Sequence, residues 1–416
     1  MDRFIINGGH KLSGCVHING AKNAASAVVL AAITANGVCV IENLPKINDV
    51  SILAEAIRRI GAKCEFIDGH TLRIDSSEIT GHVIEYDLVR SMRASYYLLG
   101  SLLARLKKAV VPMPGGCNLG ARPIDQHIKA FEALGAKVTV EHGMVSITAD
   151  KLTGTNIYLD VVSVGATINA MIASTGAEGV TLIENAAKEP HVVDTANFLN
   201  MLGANIRGAG TDTIRIVGSK KLSGCDYMII PDQIEAGTYM IATAVTGGDV
   251  TIKNIIPRHM ESLSAKLTEM NCKIEDGDDY IRITRNDPLI CANVKTMVYP
   301  GFPTDLQPQM TALLTLAKGT SIITETIHDN RFQYITELRR LGGRITVDGR
   351  IAIIENVDEL TGAEVSATDL RAGVALIIAG LAARGETTIY NIKYIDRGYE
   401  SIDKKLKALG ADIKRA

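Results

Sequence analysis

The 416-residue sequence has almost no net charge: 44 lysines and arginines stand against 46 aspartates and glutamates, a formal balance of -2. Without a positive excess there is no field to hold a polyanion, so nucleic acid is not an expected partner. Long apolar runs are missing too. The longest, "AGVALIIAGLAA" at 372–383, is well short of the roughly 20 residues a membrane crossing needs. The opening "MDRFIINGGHKLSG" lacks the cationic stretch leading into an apolar segment that marks a signal peptide. A cytoplasmic protein without a membrane partner is expected. The seven cysteines (15, 39, 64, 117, 225, 272, 291) form no C-x-x-C pair and have no histidine at ligand spacing, which disfavours structural zinc and a disulfide framework. Neither G-x-x-x-x-G-K-[ST] nor G-x-G-x-x-G occurs, so phosphate-loop hydrolysis and dinucleotide redox chemistry are unsupported. No metal and no cofactor are expected.

What the sequence does have is an internal repeat. "KLSGC" stands at 11–15 and again at 221–225, with weaker relatives "EITG" at 78–81, "KLTG" at 151–154, "PLIC" at 288–291 and "ELTG" at 359–362. A second mark runs in step: "RRIGAKC", "EALGAKV", "NMLGANI", "TEMNCKI", "RRLGGRI" and "KALGADI" place Gly61, Gly135, Gly203, Asn271, Gly342 and Gly410 at intervals of 74, 68, 68, 71 and 68 residues. Gly or Asn just past a helix is the left-handed cap. Helical periodicity precedes these marks, and most are followed by two short alternating strands, as in "KVTVEHGMVSITA". Upstream lies a third series, from "KNAASAVVLAAI" to "DLRAGVALIIAGLAA", whose helices are apolar nearly all round and are expected to be buried on every side. Six such units predict two domains of three units each around buried helices, one over 21–229 and one over 1–20 plus 230–416, because the first strand precedes the first full unit.

The starts of the six buried helices carry chemistry: Lys22 and Asn23, Arg93, Ser163 and Gly165, Glu235, Asp305, and Asp369 with Arg371. The acidic residues there read equally as caps. A cation at a helix N-terminus opposes the dipole, so Lys22, Arg93 and Arg371 are expected to face a phosphate- or carboxylate-bearing ligand. After the next strand, five units carry loops such as "ENAAKEPHVVD", "TETIHDNRFQY" and "YNIKYIDRGYES", bearing Lys188, Glu189, Arg258, Asp329, Arg331 and Arg397. If the loops converge they make a basic cleft, suited to phosphorylated metabolites. The second unit has instead "PMPGGCNLGARP" at 112–123, with three prolines, three glycines and one thiol. Its composition fits a mobile lid. Arg122 is close enough in sequence to bias the ionisation of Cys117, which is singled out as the functional thiol; the other six are expected to be inert.

Four stretches, "NGAKNAA" at 19–25, "PGGCNLGARPIDQH" at 114–127, "FPTDLQPQ" at 302–309 and "DRGYES" at 396–401, resemble the signature segments of the UDP-N-acetylglucosamine 1-carboxyvinyltransferase family, enolpyruvyl transferases of peptidoglycan synthesis. The resemblance runs the length of the chain. It implies an α/β fold: a two-domain inside-out α/β barrel of six βαβαββ units. It implies phosphoenolpyruvate and UDP-N-acetylglucosamine as small-molecule substrates. Lys22, Arg122 and Arg397 are implied to hold phosphoenolpyruvate, with Asn23 and Arg93 close by. Asp305 is implied to take the proton from the sugar 3'-hydroxyl, and Cys117 to protonate C3 of the enol. Arg122, Pro123, Ile124, Asp125 and Gln126, with Ser163, Val164 and Gly165, are implied to line the uridine and diphosphate, and Ile327 to lie beside the sugar nucleotide. Arg331, Asp369 and Arg371 match positions near the site. Asp329 stands where many members carry Glu.

The chemistry suits these residue types: C3 of the electron-rich enol must gain a proton before the alcohol attacks C2, and arginines neutralise the phosphate and carboxylate throughout. Two alternatives remain at this point. The shikimate-pathway enolpyruvyl transferase shares the implied fold but not the Cys117 loop or "NGAKN". A silent paralogue that only binds sugar nucleotides is disfavoured by Cys117, Asp305 and Lys22.

Overall fold

The computed structural model describes residues 2–89, 92–113, 123–219 and 221–416. Among them are six sheets, five of four strands and one of three. Each is laid out alike. In the sheet ordered Asn205–Arg207, Thr213–Val217, Val180–Glu184, Asn156–Tyr158, the last pair runs parallel, with Ile183 opposite Ile157, and the others antiparallel, with Val180 opposite Val217. The three-stranded sheet keeps a trace of its fourth strand in a parallel bridge from Val83 to Val110. Alternation drives the strands: in Thr213–Val217 the two isoleucines are buried while Thr213 and Arg215 are exposed, as period-two patterning requires.

The six apolar helices are Lys22–Ala31, Tyr97–Leu106, Val164–Ser174, Gln233–Thr246, Gln307–Leu314 and Leu370–Ala382. Nearly every residue in them is buried. Their richness in Ala, Gly, Ser and Thr permits close approach: a Cβ on Gly100 would sit 2.5 Å from Asn169 Oδ1. Gly61, Gly135, Gly203, Gly342 and Gly410 have φ between 94° and 105°, and Asn271 has φ 70°, so all six marks are the left-handed caps expected. The tetrapeptide repeat has its own cause. Side chains at Gly154, Gly224 and Gly362 would meet the backbone of Val180, Val38 and Glu386 at 2.5, 1.8 and 2.2 Å, respectively.

The described residues divide into two compact units, one lying within Gly20 to Ile230, the other made of the residues up to Asn19 together with Pro231 onward. Each has its own hydrophobic core. Strands exchange accordingly. Ser13–His17, which precedes the first buried helix, pairs in parallel with Asp249–Lys253, whereas Asp226–Met228, which precedes the fourth, pairs with Val38–Glu42. Beside the crossings the backbone is fixed by hydrogen bonds. Ala21 N donates to Ile230 O at 2.8 Å and Asp232 N to Asn19 O at 2.9 Å.

Asp194, on the helix Pro190–Met201, anchors the second crossing. Its buried carboxylate accepts the Tyr227 hydroxyl at 2.6 Å and Ile230 N at 3.4 Å. Burial pushes its pKa up to about 6 against the opposing effect of these bonds. A folded-state value above the unfolded one, about 3.9, stabilises the fold below pH ~4 and loses that stabilisation as pH rises through 6. The Gly20–Ile230 unit is therefore expected to lose about 1–3 kcal/mol between pH 4 and 7.5 from this residue. Asp194→Asn should flatten the decline in urea unfolding midpoints; an unchanged pH slope would show that Asp194 does not titrate in that range.

Candidate active site

In the Gly20–Ile230 unit, Lys22 is the first residue of its helix, whose N-cap Ala21 offers no side-chain acceptor. Its ammonium lies 3.1 Å from Asp49, which is buried. Asp49 is in the first turn of the outer helix Asn48–Arg59. Asn23 is half-buried. Arg93 opens the turn Arg93–Tyr96 ahead of the second buried helix; its guanidinium stacks 5.4 Å from the Tyr96 ring centre, and burial lowers its pKa.

Tyr96 in turn faces His127 at 5.1 Å. His127 is buried, and burial, helped by the Arg93 charge, pushes its pKa down to about 3. The ring is therefore neutral, and its Nδ1 accepts from Asn169 Nδ2 at 2.9 Å. Asn169 also donates to Tyr96 O and accepts from Gly100 N, tying the second and third buried helices together. Gly165 approaches His127 so closely that a Cβ would lie 3.1 Å from the ring.

Ser163 caps the third helix, its hydroxyl accepting from Ala166 N at 3.3 Å; Val164 and Gly165 beside it are half-buried. Of the 123–126 stretch, Pro123 and Asp125 are exposed and Ile124 and Gln126 buried. Gln126 exchanges two hydrogen bonds with Asp160, at 3.0 and 2.8 Å. Arg93, His127 and Gly165 thus meet, with Ser163 two residues away. Cys117 and Arg122 lie outside the described residues.

In the other unit the fifth and sixth helix starts come together. Asp305 forms ion pairs with Arg331 at 3.3 Å and Arg371 at 3.0 Å. Although its partial burial works the other way, the two guanidiniums hold its carboxyl well below the usual carboxylate range, with His328 contributing. Arg371 also donates to the Tyr399 hydroxyl at 3.1 Å, which bonds Thr238 at 2.8 Å. Arg331 donates to Thr304 O at 3.0 Å. Asp369 is the cap of the sixth helix, accepting from Arg371 N and Ala372 N, so its carboxylate fixes the residue whose guanidinium holds Asp305. Among the described residues, Arg331 Nε and Gln309 Oε1 are buried without hydrogen-bond partners, the kind of unsatisfied polar group that ligand sites retain. Ile327 is 38% exposed. Arg397 is half-buried at the end of the turn Ile392–Arg397.

Lys22 and Arg371 each have a carboxylate partner brought by folding, Asp49 and Asp305. The dipole argument correctly required an anion and could not tell a carboxylate brought by folding from one brought by a substrate. Two of the loop charges have local partners: Asp329 pairs with Arg350 at the surface, and Lys188 lies 3.9 Å from Asp212. Sequence reasoning missed Asp49, His127, Asn169 and Tyr399. Of these, His127 and Tyr399 stood inside quoted motifs, whereas Asp49 and Asn169 carried no mark beyond being polar on an apolar face.

A family model described as EPSP synthase (3-phosphoshikimate 1-carboxyvinyltransferase) matches residues 6–406. The chain is 58% identical over 415 residues to UDP-N-acetylglucosamine 1-carboxyvinyltransferase 3 of Caldanaerobacter subterraneus, covering 100% of this chain and 99% of the relative. To UDP-N-acetylglucosamine 1-carboxyvinyltransferase of Clostridium botulinum it is 56% identical, with both chains fully covered. Among solved structures it is similar to the enolpyruvyl transferase NikO from Streptomyces tendae, with a TM-score of 0.91 at 28% identity, covering 100% and 99% of the two chains. It shares its fold with an EPSP synthase from Acinetobacter baumannii, TM-score 0.78 at 20% identity, with both chains fully covered. With matches running from end to end at such identity, the chain belongs to the UDP-N-acetylglucosamine 1-carboxyvinyltransferase family, within the wider group of EPSP synthase-like enolpyruvyl transferases.

Proposed function

We propose that this protein transfers the enolpyruvyl group of phosphoenolpyruvate to the 3'-hydroxyl of UDP-N-acetylglucosamine, releasing inorganic phosphate, as the first committed step of peptidoglycan synthesis in the cytoplasm. The observation that carries this reading is the full-length identity of 58% and 56% to relatives named for that activity. In the same reading the fold is an inside-out α/β barrel of six βαβαββ units, three to each domain, with one domain over 21–229.

The reaction is an addition followed by an elimination. A proton reaches C3 of the enol from Cys117 while the sugar hydroxyl, giving its proton to Asp305, adds to C2. The resulting tetrahedral phosphate ketal loses phosphate and a C3 proton to leave the enolpyruvyl ether. Lys22, Arg122 and Arg397 are assigned to phosphoenolpyruvate, with Asn23 and Arg93 near its phosphate. The nucleotide is assigned to Arg122 through Gln126, Ser163 through Gly165, and Ile327. A carboxylate flanked by Arg331 and Arg371 is a weak base. Proton transfer to Asp305 therefore has to coincide with the arrival of substrate anions that compete for the same guanidiniums.

Acceptor choice tests the reading against its nearest rival. With phosphoenolpyruvate present, UDP-N-acetylglucosamine should gain the mass of one enolpyruvyl group and shikimate 3-phosphate none. Conversion of shikimate 3-phosphate alone would assign the chain to the other activity.

A further inference from the structure

The six-unit repeat supplies an internal comparison. In four units the residue just past the inner strand of the parallel pair is an asparagine with positive φ: Asn43, Asn185, Asn254 and Asn391, at 56–60°. Each amide reaches back to the end of the parallel neighbouring strand, donating to Ile229 O, Leu159 O, Ile18 O and Ser366 Oγ at 2.7–3.0 Å. The fold's own solution to this seam is therefore a neutral donor.

In the fifth unit the same place, after the strand Thr320–Thr324, is held by Glu325. It is 1% exposed and reverses the polarity of the seam. The short strand there is Val294–Lys295, and Thr296 just beyond it donates its hydroxyl to Glu325 Oε1 at 2.9 Å. The same oxygen accepts Ile327 N at 2.8 Å and His328 N at 3.1 Å. Oε2 accepts the Thr304 hydroxyl at 3.0 Å.

A buried carboxylate is expensive to desolvate, and four units do without one. What Glu325 gains over asparagine is reach: it grips Thr304, next to Asp305, and also the turn that presents Ile327 and His328. We propose that Glu325 is a positioning residue for the transfer reaction, setting the orientation of Asp305 through Thr304 and the shape of the Ile327–His328 turn toward the sugar nucleotide. This rests on the reading of Asp305 and Ile327 as parts of the acceptor site.

The test compares the full-length protein with Glu325→Gln, which keeps the length, and Glu325→Asn, which introduces the residue four other units use. Both should fold, checked by thermal unfolding, and the asparagine variant should melt within a few degrees of the parent. kcat/KM for UDP-N-acetylglucosamine should fall in Glu325→Asn by roughly tenfold to a hundredfold, the scale of a 1 Å misplacement. It should fall less in Glu325→Gln, and KM for phosphoenolpyruvate should stay put in both. Kinetic constants of a folded asparagine variant within twofold of the parent would overturn the proposal, as would an equal rise of both KM values. A parent that releases no phosphate from the two substrates would instead remove the reading on which it rests.

Discussion

Cys117→Ser is expected to lose turnover by about a hundredfold to ten-thousandfold, the range for removing a general acid, while unfolding at the parent's temperature. Protonation at carbon is slow and needs an acid whose pKa lies near working pH. A thiol, near 8.5 when unperturbed, meets that need, and an aliphatic hydroxyl does not. Cys117→Asp should keep measurable activity, because a carboxylic acid can also give up the proton. Wild-type rates from Cys117→Ser would remove the thiol from the mechanism.

The same thiol should be the one alkylated by fosfomycin, an epoxide carrying a phosphonate. Burial pushes Cys64 and Cys272 up to about 11, which leaves almost no thiolate at neutral pH. Cys39 is raised through its thiol contact with Cys225 and by burial. Cys225, since that contact lowers its pKa, and Cys15, which is exposed, are the physical competitors. Peptide mass spectrometry placing the adduct on any cysteine other than Cys117 would contradict the assignment.

Asp305→Asn should lower turnover by a similar factor and also weaken the fold. Arg331 and Arg371, with side chains 1% and 6% exposed, would both lose their counter-charge. Breaking a buried pair costs 3–5 kcal/mol, and about 3 kcal/mol is expected here because the Asp305 side chain is 31% exposed. The pH dependence separates this site from Asp194. Asp305 has a depressed pKa in the folded state, so its contribution is fully present above the unfolded value of about 3.9 and is lost only as pH falls below it. The variant's deficit should thus be constant from pH 5 to 8, measured as the shift in unfolding midpoint. A deficit that grows between pH 5 and 7 would mean that the carboxyl is not held by the arginines as described.

Backbone chemistry made much of the fold legible in the sequence. The glycine and asparagine marks at 61, 135, 203, 271, 342 and 410 are forced by positive φ, and Gly154, Gly224 and Gly362 by backbone approach. Such requirements admit few residues and so repeat visibly. The all-apolar helices were legible for the same reason: burial on every side leaves no polar face. Side-chain partnerships were not. Nothing in the spacing of Lys22 and Asp49, or of Asp305 with Arg331 and Arg371, says that they meet, because tertiary packing of separate helix starts decides it. Glu325 could have been noticed as a charged residue where four units carry asparagine, but only the structure shows that its oxygens accept from Thr304 and the Ile327–His328 turn.

The most direct test of the proposed activity is continuous measurement of inorganic phosphate from the purified protein with phosphoenolpyruvate and UDP-N-acetylglucosamine, each omitted in turn. Phosphate should appear only when both are present, in step with the enolpyruvyl product. Release from phosphoenolpyruvate alone, or none with both substrates from a folded protein that binds them, would contradict enolpyruvyl transfer as its function.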